Sequence, residues 1–195
     1  VPSEFSKREV VRLYNIPPER IAVVPLAADP VFAEAVSRAD EKRVLEKFNP
    51  GKRFVLFVGH LINRRYPLEM IRAFATVAQE FSETSLLLVG PDRTHPPLEL
   101  DAEVEKANRL LRRSAILHAP RADDLELAVL YRRASCLLYL SSYEGFGLPP
   151  LEALSVGTPA IVSDATSLPV VVGEAALRLP EPISTAALTD ANGES

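Results

Sequence analysis

A single cysteine, Cys136, is present, so no disulfide can form within the chain. It lies in an apolar, strand-like run and reads as a small buried hydrophobe, which fits a reducing compartment. No run of eighteen apolar residues occurs, and no secretory signal pattern opens the sequence, so a cytoplasmic protein is expected. Basic charge is not in excess. The net charge is −4 and the pI about 5.5, which argues against a nucleic-acid binder. Histidine is scarce at three residues, and no His, Cys, Asp or Glu set has metal-ligand spacing, so no metal is expected.

What is present describes one compact domain with a substantial core: 195 residues, 47% apolar and 25% charged. Short continuous apolar runs alternate with amphipathic stretches. Ser3 can cap a helix over Glu4–Tyr14, ended by Asn15 and Pro17-Pro18. A short strand is expected at Ile21–Leu26 and a charged helix at Arg38–Phe48. Further strands are predicted at Phe54–Val58, Ser85–Val89, Ala115–Leu117, Cys136–Leu140, Ala160–Val162 and near Ala175–Leu179. Helices are predicted at Pro67–Phe81, near Asp101–Arg113, at Asp123–Ala134 and at Pro150–Val156. Strands that are apolar throughout belong to a parallel sheet covered on both faces. The fold class is therefore α/β, a doubly wound Rossmann-like parallel sheet, whose ligands bind at the carboxyl ends of the strands.

The polar and glycine-rich positions cluster at such ends. Gly59 and the loop His60–Tyr66 follow one strand, Gly90-Pro91-Asp92 the next, His118-Ala119-Pro120 a third, and Ser141–Leu148 a fourth. This convergence implies one shared site. The run SSYEGFGLPPLEALSVGTPAIV, Ser141–Val162, carries most of it. Two glutamates, Glu144 and Glu152, flank a Gly145-Phe146-Gly147 turn, then Leu148 and a proline pair. Pro149 and Pro150 fit a first helical turn, where a missing N–H costs nothing. The free N–H groups there attract phosphate. Gly145 and Gly147 can take positive φ and leave room for a diphosphate or a hexose. Glu152, on the first or second turn, can accept from two adjacent ribose hydroxyls, and Glu144 can do the same for a sugar ring. The spacing alone also fits a strand–loop–helix connection with solvated glutamates.

Arg64 and Arg65 stand at a loop-to-helix junction, where a guanidinium can bind two diphosphate oxygens at once. The alternative is two solvated surface arginines. Ser141 and Ser142 either donate to phosphate or close the turn. Tyr131-Arg132-Arg133 reads as a solvated helical face, His95 and His118 as bystanders, and Asp123-Asp124 as a helix cap with a first-turn acid.

The Ser141–Val162 run resembles the E-x7-E signature of the retaining, nucleotide-sugar-dependent glycosyltransferases of family 4, the group 1 glycosyl transferases. SEFSKREVVRLYNIPPERIAVVPLAAD (Ser3–Asp29) is similar to that family's crossover segment, and FVLFVGHLINRRYPLEMIRAF (Phe54–Phe74) to its phosphate loop. The stretch Asp123–Leu177 matches almost without a break. The resemblance implies the C-terminal, donor-binding half of a GT-B fold. It divides the chain into a crossover segment (1–30) from a missing N-terminal acceptor domain, a nucleotide-sugar-binding domain (31–180) and a truncated tail (181–195). It implies a nucleoside diphosphate sugar as substrate, with GDP-mannose the first expectation and a UDP-sugar the second, and no bound cofactor or metal.

By the same resemblance, Arg65, Arg64 and Glu144 are the catalytic candidates, with the arginines neutralising the leaving diphosphate. Gly59, Ser142, Gly145, Phe146, Gly147, Leu148 and Glu152 are the donor-binding candidates. Where many members carry arginine directly after the glycine, this chain has His60. The implied activity is hexose transfer to a hydroxyl with retention, in polysaccharide or glycolipid synthesis, with the leaving phosphate taking the acceptor's proton. The resemblance leaves membrane association open: the expected location is the cytoplasm, with peripheral contact at the inner face of the membrane through the other domain as the alternative. The isolated chain is expected to bind nucleotide weakly and to transfer nothing. A non-catalytic nucleotide-sugar-binding module, or an epimerase or phosphorylase on the same scaffold, remains the alternative.

Overall fold

The computed structural model describes residues 1–183. Much of the expected tail therefore lies outside the described residues. Helix α1 (Glu4–Tyr14) starts at Ser3, whose hydroxyl accepts the Ser6 N–H at 3.0 Å, and ends at Asn15 in the left-handed region. The expected strand Ile21–Leu26 does not form. Among the described residues its backbone bonds are few: Ile21 N–H to the Pro18 carbonyl, Val24 N–H to the Val1 carbonyl and the Val1 amine to the Ala22 carbonyl. Pro25 has no donor, and Val24 and Leu26 are exposed, so nothing draws the segment into a ladder.

Six strands make one parallel sheet: β1 (Arg53–Val58), β2 (Thr84–Val89), β3 (Ile116–Ala119), β4 (Cys136–Tyr139), β5 (Ala160–Ser163) and β6 (Ala176–Leu179). Helices α2 (Arg38–Phe48), α3 (Pro67–Val77), α4 (Leu100–Leu111), α5 (Asp124–Arg133), α6 (Leu148–Ser155) and α7 (Leu168–Val172) accompany them. The strand order is β3-β2-β1-β4-β5-β6. With right-handed crossovers, α3 and α4 cover one face, while α5, α6 and α7 cover the other. Leu56, Phe57, Leu86, Leu87 and Leu88 are buried, as strands covered on both sides require.

Asp123 caps α5 with a reciprocal bond from Glu126, as its position in the sequence suggested. Helix α7 was not legible, because Val170–Val172 are β-branched and lose side-chain freedom in a helix. It forms because Leu168 and Val172, one turn apart, are both buried.

Val55, paired with Cys136, and Leu138, paired with Ile161, share one face of the sheet. With Met70 and Phe74 of α3 they line an apolar cavity of about 330 Å³. Burial there pushes the Cys136 thiol up to about 11. Alkylation of the folded protein by iodoacetamide at pH 8 should then run about two orders of magnitude slower than that of a free thiol. Equal rates before and after denaturation would contradict this.

Candidate functional site

The crossovers leaving β1 and β4 run to opposite faces, so a crevice opens between the carboxyl ends of these neighbouring strands. It is a cleft of about 410 Å³ lined by Leu26, Gly59, His60, Arg65, Tyr139, Glu144, Phe146, Gly147, Leu148 and Pro149. Of the residues singled out from the sequence, Gly59, Arg65, Glu144, Phe146, Gly147 and Leu148 meet here. Arg64, Ser142, Gly145 and Glu152 stand outside its lining.

Arg65 ends a single 3-10 turn, Asn63–Arg65, and is followed by Tyr66 in the left-handed region at φ 54°. That turn brings its guanidinium back over the end of β1. Nε donates to Glu144 Oε1 at 2.7 Å, Nη1 donates to the His60 carbonyl at 3.1 Å, and the group lies 5.2 Å from the Tyr139 ring centre. Both charged side chains are largely enclosed, at 13% and 10% exposure. A Cβ on Gly59 would stand 2.7 Å from Arg65 Nη1, so the arginine fits because that position is glycine. Burial keeps the Tyr139 phenol well above its ordinary pKa, so it stays protonated beneath the guanidinium.

The two loops are stitched together. Arg64 Nε donates to the Tyr143 carbonyl at 2.9 Å, and the Ser142 N–H donates to the Arg64 carbonyl at 3.0 Å. A third loop holds Glu144 from the other side. Its N–H donates to Thr166 Oγ1, while the Ser167 hydroxyl donates to the carbonyls of Glu144 and Phe146. Gly147, at φ +111°, precedes α6, and Pro149 and Pro150 occupy that helix's first turn. Gly145 departs from expectation, for its φ is not positive. Its tight approach is to Ser6, whose Oγ would lie 3.2 Å from an added Cβ. Ser141 is buried and closes the turn, its N–H donating to Ser163 Oγ, whereas the Ser142 side chain is exposed.

Glu152 sits one turn inside α6. Its Oε2 accepts from the Tyr131 hydroxyl at 2.7 Å. Burial raises its carboxyl above the usual range; the charges of Asp124 and Asp29 push the same way, and the Tyr131 hydrogen bond pulls it back. A raised carboxyl favours its protonated form in the folded chain. Its stability contribution is full below the unfolded value and lost as pH rises through the folded one. Glu152→Gln should therefore gain in urea midpoint over the unsubstituted chain as pH climbs from about 4.5 towards neutrality. A difference that stays flat with pH would contradict the assignment.

Tyr131 corrects a sequence expectation. It is fully buried and forms no part of a solvated face. Arg132 donates to the carbonyls of Phe32 and Glu34, and Arg133 pairs with Glu41. Tyr131, Tyr139, Thr166 and Ser167 all hold site residues and escaped the sequence reading. The one available signal was a tyrosine at or next to the end of each of two otherwise apolar runs. His118 Nε2 lies 2.8 Å from the Gly90 carbonyl, a bond it makes as the Nε2–H tautomer.

Residues 38–191 match the family described as Glycosyl transferases group 1. The chain is 34% identical over 176 residues to O-antigen chain mannosyltransferase B of Escherichia coli, covering 90% of this chain and 45% of that one. Among solved structures, it superposes on WaaG, a glycosyltransferase involved in lipopolysaccharide biosynthesis, with a TM-score of 0.79 at 21% identity, over 97% of this chain and 51% of that one. It also superposes on HepE of Anabaena in complex with UDP-glucose, with a TM-score of 0.77 at 17% identity, over 99% and 52%. The chain thus spans about half the length of each of these three proteins.

Proposed function

Since the chain belongs to the group 1 glycosyl transferases, we propose that it is the donor-binding half of a retaining hexosyltransferase that draws on a nucleoside diphosphate sugar. The observation that carries the reading is the Arg65–Glu144 pair, enclosed in the crevice where the doubly wound sheet reverses direction. A departing diphosphate there would meet the guanidinium of Arg65, the exposed Arg64 and the N–H groups entering α6. Fixed positive charge at the point where negative charge develops lowers the barrier without reorganisation. Glu144, bonded to Arg65, sets the direction of that guanidinium and faces the donor sugar. Glu152 uses one oxygen for Tyr131 and keeps the other for a ribose hydroxyl.

Mannose on GDP is the first donor choice, supported by the mannosyltransferase relative; a UDP-sugar is second. The acceptor would belong to the part of the relatives' length that this chain does not span, and the products would be cell-surface polysaccharides or glycolipids.

Isothermal titration with GDP, UDP and ADP, with and without EDTA, tests the reading. One nucleotide should saturate the chain, and Glu152→Ala should weaken it about ten-fold, the loss of a charged hydrogen bond. Equal affinity for all three nucleotides in Glu152→Ala and the unsubstituted chain would remove Glu152 from the site. Absence of binding in a folded chain and in the full-length protein would overturn the donor reading.

A further inference from the structure

Helix α1 begins against the loop between the two glutamates, and nothing in the proposed reaction accounts for that contact. The Ser3 hydroxyl donates to the Gly145 carbonyl at 2.6 Å, and the Ser6 hydroxyl donates to the same oxygen at 2.9 Å. Both lone pairs of that carbonyl are thereby used by residues more than 130 positions away in the chain. Phe5 packs edge-on to Tyr143, with ring centres 5.1 Å apart, and the Tyr143 hydroxyl donates to Glu9 at 2.8 Å. Glu9 is in turn held by Arg12. Tyr143 and Gly145, the residues on either side of Glu144, are thus both fastened to α1. The Tyr143 carbonyl is also the group that Arg64 grips.

We infer that Ser3 and Ser6 are positioning residues for the donor site, and that α1 orients the Glu144–Gly147 loop for the diphosphate. A peptide unit is planar, with its carbonyl and N–H opposed. Fixing the Gly145 carbonyl towards α1 therefore turns the Phe146 N–H away from it. Phe146 and Gly147 line the cleft, and their N–H groups donate to nothing among the described residues. Oriented N–H groups of this kind are the ones that receive phosphate oxygens at a helix entrance. Gly145 itself serves the contact, since a side chain there would press on Ser6. This inference rests on the donor reading for its ligand, but not for its geometry.

The serines also allow a clean test. Ser3 has two tasks, capping α1 as an acceptor and donating to Gly145. Ser3→Asp keeps the cap and loses the donor, Ser3→Thr keeps both, and Ser6→Ala loses only the donor. In Ser3→Asp/Ser6→Ala, amide exchange at residues 143–147 should quicken about ten-fold and affinity for the nucleoside diphosphate should fall about ten-fold. Helix content should hold, and Ser3→Thr should behave like the unsubstituted chain. Unchanged exchange and affinity in the double variant would overturn the inference, as would a Ser3→Thr variant no better than Ser3→Asp. If the unsubstituted chain binds no nucleotide, the donor reading fails separately. The exchange rates then still decide whether α1 holds the loop.

Discussion

Gly90→Ala should destabilise the fold by more than about 3 kcal/mol, a large part of the stability of a domain this size. A Cβ at Gly90 would stand 2.1 Å from the Gly59 carbonyl oxygen and 2.6 Å from its carbon, both backbone atoms. Neither strand end can retreat. Gly59 N–H is bonded to the Val89 carbonyl, Gly90 N–H to that of Ala119, and Leu61 exchanges bonds with Pro91 and Arg93 just beyond. The native φ at Gly90 is +139°, which an alanine tolerates poorly in any case. Gly157→Ala, at φ +84°, gives a positive-φ comparison without the close approach. Gly157 has positive φ but nothing within 4 Å of an added Cβ, so its cost should stay near the 1–2 kcal/mol of backbone strain alone. Urea midpoints of the two variants make the comparison. Similar losses would show that the close approach of the two loops is not what constrains Gly90.

Arg65→Ala should cost both binding and stability. It leaves the Glu144 carboxylate enclosed with no cation, a change of about 3 kcal/mol or more when a buried pair loses one member. Nucleotide affinity should fall at least 100-fold, since the lost group supplies both charge and a bidentate fork. Removing Glu144 as well should restore part of the stability but none of the binding. That asymmetry separates the structural share of the pair from its share in recognition. Arg65→Lys should fall between, because one ammonium cannot reach both Glu144 and the His60 carbonyl with fork geometry. If the double variant loses as much stability as Arg65→Ala and Glu144→Ala summed, the pair is not a coupled unit and the argument from its enclosure fails.

The parts of this molecule that were legible in the sequence are those with local causes. Strands buried on both faces advertise themselves as apolar runs, and Ser3 and Asp123 advertise helix starts. Glycine and proline between two carboxylates mark a ligand-facing turn. Ile21–Leu26 misled because an apolar run looks the same whether or not a neighbouring strand is there to pair with it. The support of the site was hidden for a related reason. Thr166 and Ser167 hold Glu144 across more than 20 residues, and Tyr131 meets Glu152 across 21. Hydroxyls at such separations carry no periodicity. Their role exists only once the sheet has set the loops side by side.

The clasp of α1 on Gly145 has a consequence for how the protein is made. Ser3 leaves the ribosome 142 residues ahead of its partner, which at 5–20 residues per second is a delay of roughly 7 to 28 s. During that time α1 is an eleven-residue helix with no buried side chain, too short to hold its shape in water unaided. The arginine loop waits as well, because Arg65 is made 79 residues before Glu144. A nascent chain halted before residue 136 would therefore hold β1 to β3 and their helices, but with β4 and its loop unmade it would have no cleft for a nucleotide to enter.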